Sequence, residues 1–259
     1  MMGRRIYRLL LLILSASFLG CGGGGGGGSS GSGGSGASPP PPAPVPTKAG
    51  GNWEGTSNSS GLTLGFNGVV TESNEGRFFD DDLTQYIITN ISGNDGSITI
   101  NFTAVTQNGF VFSDGSTVTT GSLTGTVVER TSINGNYSIA TGESGTISLT
   151  YNSQYDRDSS LSKLSGMWNE NDFGILTFDP DGSFFEQNTF GCVLDGQASI
   201  IDSAFNVYSL TMTVSLCGAE WNGPFSGLGV LTDFNATDDM FVVQMNSDTL
   251  IFTTFLYRL

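Results

Sequence analysis

An all-β fold is predicted for this 259-residue chain by its period-two alternation of apolar and polar residues, its many turn-forming dipeptides and its scarcity of helix signals. In "SITINFTA", Ile98, Ile100, Phe102 and Ala104 fall on one face, with Thr99, Asn101 and Thr103 on the other. The same alternation recurs through Ile147, Leu149 and Tyr151, through Tyr208, Leu210, Met212, Val214 and Leu216, and through Leu250, Phe252, Thr254 and Leu256. Such alternation marks half-buried antiparallel strands. Asn94-Asp95-Gly96, Asp114-Gly115, Asn134-Gly135, Asp181-Gly182 and Asp195-Gly196 offer the residues that accept positive φ in tight hairpins. The best helix signal is the short run Asp156–Gly166, with Asp158 or Ser159 as cap and Gly166 as stop. The architecture expected is two tandem small antiparallel β-meander barrels or sandwiches after a disordered linker.

Taken in order, residues 1–20 read as a signal peptide. Arg4, Arg5 and Arg8 form a basic start, and Leu9 to Leu19 is an apolar run too short for the roughly 20 residues of a membrane span. Phe18, Leu19 and Gly20 then precede Cys21. This order resembles the lipobox of bacterial lipoproteins, with Phe18 where leucine is usual. The resemblance implies cleavage before Cys21, a diacylglyceryl thioether on its sulfur and an acylated new N-terminus. Two or more acyl chains anchor stably, at about 0.8 kcal/mol per buried methylene. Gly22 is not the aspartate associated with inner-membrane retention, so the resemblance implies the outer membrane of the envelope.

Residues 21–49 form the expected linker. Gly22 to Ser38 contains only glycine, serine and alanine, and Pro39 to Pro46 is proline-dominated. Neither part buries enough apolar surface to offset its ordering entropy. The glycine part should span roughly 20–25 Å and the stiffer proline part about 25 Å more.

The remaining roughly 210 residues suit one large β domain or two small ones. Two are favoured, 50–157 and 158–259, because the chain partly repeats itself. "GGNWEGT" opens the first stretch and "LSGMWNE" the second; "NGNYS" (Asn134–Ser138) and "NGPFSG" (Asn222–Gly227) follow in turn. A Gly-x-Trp at the start of a β-meander is similar to the opening of lipocalins and other calycins. That resemblance implies a tryptophan packed under a basic residue from the closing strand, here Trp53 with Arg157 and Trp168 with Arg258. Each contact would be a cation–π interaction of about 0.5–2 kcal/mol. Segments such as "YDRDSSLSKLSGMW", "FGCVLDGQASIID" and "NVYSLTMTVSLCG" are also similar to a two-domain type of β-rich bacterial lipoprotein to which no activity is attached.

Cys192 and Cys217 are an even pair in an exported chain and are expected to form a disulfide. Closing a loop of about 25 residues contributes roughly 3–3.5 kcal/mol in the chain-entropy picture.

The composition excludes much chemistry. With no histidine, the chain lacks the usual general base, Ser-His and Cys-His pairs and histidine metal sites. It has 9 Lys+Arg against 24 Asp+Glu, and loss of three signal-peptide arginines leaves the body near −18. Such a body repels polyphosphate and nucleic acid. Asp80-Asp81-Asp82, Asp179-x-Asp181-Gly182 and Asp233/Asp238/Asp239 are oxygen-rich, as hard cations prefer, yet none follows the twelve-residue calcium-loop pattern. Each is equally a solvated turn. Adjacent Phe78-Phe79 and Phe184-Phe185 must point to opposite faces of a strand, so one of each pair is expected to be covered by domain packing or to form a contact patch.

No catalytic residue, metal or cofactor is expected. The first functional expectation is a membrane-anchored, non-catalytic envelope lipoprotein with a binding or structural role, whose partners are the membrane and an envelope protein or small ligand. A calycin-like carrier of a small apolar ligand is an alternative, needing a cavity of a few hundred Å³. A second alternative is a hydrolase of the glycoside type, needing two facing carboxylates.

Overall fold

Alternation along the chain becomes two closed barrels because each strand hides one face and wets the other. The computed structural model describes residues 42–170, 174–188 and 191–259. The signal segment, Cys21 and the glycine-rich tether lie outside the described residues. The first barrel comprises β1 (Gly51–Ser59), β2 (Leu62–Val70), β3 (Gly76–Asp80), β4 (Gln85–Ser92), β5 (Ser97–Val105), β6 (Val118–Val128), β7 (Ser132–Ile139) and β8 (Ser144–Asn152). The second comprises β9 (Gly166–Glu170), β10 (Gly174–Phe178), β11 (Ser183–Gln187) and β12 (Val193–Ile200), then β13 (Tyr208–Ser215), β14 (Gly223–Thr232), β15 (Met240–Asn246) and β16 (Ile251–Arg258). Each is an antiparallel meander closed by pairing its first strand with its last. Both belong to one compact unit, Ala43–Leu259.

Apolar side chains turn inward. Trp53, Phe66, Phe78, Ile98, Ile100, Phe102, Leu123 and Ile133 fill the first barrel, while Trp168, Phe178, Phe184, Tyr208, Leu210 and Phe241 fill the second. Thr99, Asn101 and Thr103 lie on the outer face of β5, and Thr211 and Thr213 on that of β13. Apolar-in and polar-out is the inverse of the pattern in a membrane-spanning barrel. Strands β14 and β15 depart from it: Leu228, Val230 and Val242 point outward yet are buried, because the first barrel covers them. Continuous apolar runs such as "MFVV" are the expected signature of strands buried on both faces.

Several local expectations are corrected. Asp95 and Gly96 (φ 50° and 83°) make a tight turn, and Gly182 (φ 86°) helps turn β10 into β11. Asn134-Gly135 and Asp195-Gly196, however, lie inside β7 and β12. Their glycines serve close approach: a Cβ on Gly196 would stand 2.2 Å from the Phe184 ring, and one on Gly135 2.5 Å from the Thr124 carbonyl oxygen. Leu216 leaves its strand, with φ 61° and an exposed side chain. The short helix α1 (Leu161–Leu164) has Ser160 at its N-cap position, while the Ser159 hydroxyl bonds the Asp202 carbonyl oxygen instead. The linker also ends earlier than residue 49. Val45 and Asp95 exchange backbone and side-chain hydrogen bonds, Thr47 bonds the Gly93 carbonyl, and Ala49 is fully buried. The chain after Pro46 therefore satisfies its backbone against the β4–β5 turn.

Candidate functional site

The two tryptophans occupy equivalent places, each third in the opening strand of its barrel. Each indole N–H donates to the carbonyl four residues earlier, Trp53 to Ala49 (2.9 Å) and Trp168 to Leu164 (2.7 Å). Arg258 faces Trp168 across the β9–β16 ladder, its guanidinium 4.3 Å from the ring centroid. The expected partnership of Trp53 with Arg157 is corrected. Tyr151 is the residue opposite Trp53 on β8, and it meets the indole edge-on at 5.5 Å. Arg157 lies beyond β8 and ion-pairs with Asp233 (2.6 Å) and Asp238 (2.8 Å) of the second barrel. Those bonds hold the Asp233 carboxyl low, at about 2. Cys192 and Cys217 form the expected disulfide, joining the start of β12 to the segment after β13.

The barrel interiors are packed. The first retains a void of about 30 Å³ among Phe66, Tyr86, Phe102 and Tyr137, and the second one of about 20 Å³. Volumes of this size hold about one water, whereas an apolar ligand needs hundreds of Å³.

Most of the acidic clusters are engaged within the protein. Asp181 accepts from the Ser183 amide and hydroxyl, and Asp239 from the amides of Phe234, Asn235 and Ala236. Asp80 is buried, accepting from the Asp82 and Thr84 amides and from the Tyr86 hydroxyl at 2.8 Å. Loss of hydration on burial raises its carboxyl to about 6. Because this lies above the ordinary 3.8, the folded state holds the proton more tightly than the unfolded chain. Stability from this group is therefore greatest below about pH 4, declines through about pH 6 and is level above, a loss on the order of 3 kcal/mol. Asp80→Asn keeps both amide bonds and can donate to Tyr86. Urea melts at pH 4 and pH 7 should show that decline in the parent and a flatter profile in the variant; equal slopes would contradict the assignment.

Glu186 holds the matching position in the second barrel, the acid following a Phe-Phe pair. Burial, then the neighbouring Glu170, pushes its carboxyl up. The repeated Phe-Phe-acid triplet was the available signal for these inward acids.

The two Phe-Phe pairs differ in their outward members. Phe79 packs edge-on against Phe255 of the second barrel at 5.8 Å, whereas Phe185 is exposed. Phe79 belongs to an apolar contact with Val69, Tyr155, Leu228, Val230 and Val242. Beside it, the buried Gln85 amide donates to the carbonyls of Met245 (3.2 Å) and Phe252 (3.1 Å) and to the Thr253 hydroxyl (2.7 Å). Arg77, also buried, donates to the Asn246 side chain. At the opposite margin Arg130 bonds Glu72, Tyr151 and Asp156 and lies over the Phe205 ring at 5.1 Å. Of these interface residues the Phe78-Phe79 pair stood out in the sequence, and Phe79 is the member that domain packing covers; Arg77, Gln85 and Arg130 read locally as ordinary strand or turn residues.

Next to this contact the barrels leave a cleft of about 620 Å³. Asn52, Glu54, Asn67 and Asp81 line it from β1, β2 and the end of β3; Thr232, Met240, Gln244 and Phe255 line it from β14, β15 and β16. Among the described residues, the Gln244 Oε1 and Thr232 Oγ1 atoms are buried without a hydrogen-bond partner. Asp81 accepts from the Gly65 amide at 2.6 Å, and Asp233, also on the rim, is held by Arg157. Among the described residues, this lining contains no lysine or arginine.

Comparison of the chain with protein families, with known proteins and with solved structures finds no match. The reading of function therefore rests on the chain's own chemistry.

Proposed function

We propose that the chain is an envelope lipoprotein, anchored through acylated Cys21 and directed to the outer membrane, whose double-barrel body is a non-catalytic binding module. The observation that carries the binding part is the placement of space. Both interiors are packed to voids of about 20–30 Å³, while the larger concavities lie outside them, one of about 870 Å³ on the flank of the second barrel and one of about 620 Å³ where the two barrels meet. Ligand sites favour such junctions and volumes of about 300–1,000 Å³. The filled interiors favour a binding surface over a carrier of apolar ligands. The absence of histidine and the structural duties of Asp80, Asp181, Asp233 and Asp239 favour binding over hydrolysis. The order of basic start, apolar run and Cys21 supports the anchor.

Cys21→Ser is expected to move the protein from the membrane fraction to the soluble fraction. Mass spectrometry of the parent should find acyl chains on residue 21. A mature start elsewhere, or an unmodified sulfur at that position, would remove the anchor from the proposal.

A further inference from the structure

The geometry points to a neutral glycan segment as the ligand of the inter-barrel cleft, an inference that rests on reading that cleft as a binding site. Four observations carry it. The first is the demand for hydrogen-bond donors. Gln244 is only 2% exposed, and its Oε1, like the Thr232 Oγ1, has no partner among the described residues. A buried acceptor left unpaired costs about 1–3 kcal/mol, so a ligand donor met by a turn of either side chain toward the cleft relieves a standing penalty. Glu54, exposed on the facing wall, adds a charged acceptor, and carboxylates bind hydroxyl donors in short, strong bonds.

Electrostatics supply the second. Among the described residues the lining has no lysine or arginine, and the body is strongly acidic, so phosphorylated, sulfated or carboxylated ligands are repelled. Thirdly, neutral groups outnumber free acids. Asn52, Asn67, Thr232 and Gln244 are amides and a hydroxyl, able to meet groups that both give and accept hydrogen bonds, while the Asn152 side chain already accepts from the Gln154 amide. Asp80, Asp81 and Asp233 already accept from backbone amides or Arg157, so among the described residues Glu54 is the lining carboxylate left to accept from a ligand hydroxyl. Fourthly, the half-buried Phe255 ring, Met240 and Leu83 supply apolar surface beside those polar groups. Sugar rings present that combination, hydroxyls at the edge and C–H groups on the face.

The test uses the full-length mature protein purified in detergent. Titration calorimetry with maltohexaose, cellohexaose and chitohexaose is run beside a trilysine peptide. At least one neutral oligosaccharide is expected to bind with a Kd of about 0.1–1 mM, as a few net hydrogen bonds allow. Asn67→Ala and Gln244→Met should each weaken it by about tenfold. Thermal melts of the two variants that match the parent keep a binding loss separate from misfolding; if Gln244→Met melts early, Asn67→Ala and Glu54→Gln carry the test. Oligosaccharide binding that is equal in parent and variants would overturn the location. Peptide binding that the variants abolish, with no sugar bound, would overturn the ligand class while leaving the cleft as a binding site. No binding of any of these probes would overturn the glycan inference. The measurement does not depend on where the protein is anchored, so failure here and failure of the Cys21 anchor are separate results.

Discussion

Trp168→Ala is expected to destabilise the protein by about 4–5 kcal/mol, near the upper end for a single core truncation. The indole is fully buried, so its loss leaves a cavity where Phe241 packs at a centroid distance of 6.1 Å. Two further contacts disappear with it. The Leu164 carbonyl loses the N–H donor that ties α1 to the barrel wall, and Arg258 loses the ring beneath its guanidinium. In a chain of this size the change corresponds to a fall in melting temperature of about 10–15 °C. Trp168→Phe separates the contributions, since it keeps most of the apolar area and removes the N–H; it should fall between parent and alanine variant. Arg258→Ala should cost only about 1 kcal/mol, because that residue is exposed and its backbone contacts to Ser165 and Lys163 can be replaced by water. Urea melts of the three variants check the order. A phenylalanine variant as stable as the parent would show that the indole hydrogen bond contributes nothing.

Reduction of Cys192–Cys217 is the second large effect expected. The bridge closes 25 residues of separation, and the chain-entropy relation gives about 3.5 kcal/mol for a loop of that length. The loop contains β12 and β13, which already pair along their full length from Val193↔Ser215 to Ile200↔Tyr208. Native pairing thus survives reduction, and the loss acts through a freer unfolded chain. Melting with and without dithiothreitol should differ by about 10 °C, with Cys192→Ala/Cys217→Ala matching the reduced parent. Coincident curves would mean that the unfolded chain is already constrained in this region.

The strands were legible because burial on one face imprints a period of two that needs no knowledge of distant residues. Ile98 to Ala104 and Tyr208 to Val214 show it directly. Turns were legible only where glycine needs positive φ, as at Gly96 and Gly182. At Gly135 and Gly196 the same dipeptides mark places where a neighbouring strand or ring comes too close for a Cβ, and that neighbour is remote in sequence. The partner of Trp168 could be anticipated from the closing strand, but that of Trp53 could not. Register puts Tyr151 opposite Trp53 and carries Arg157 past the barrel edge toward Asp233.

Strand content was thus set by local order, and the cysteine pair and the exclusion of histidine chemistry by which residue types the chain contains. Which outward faces would be covered was not. Whether Phe79 or Phe185 meets a partner, and whether Gln85 and Gln244 end in a contact or beside a cleft, depends on how two separately closed barrels pack together. That packing is a sum of many weak contacts between residues up to about 170 positions apart, and no short window of the chain contains both sides of any of them.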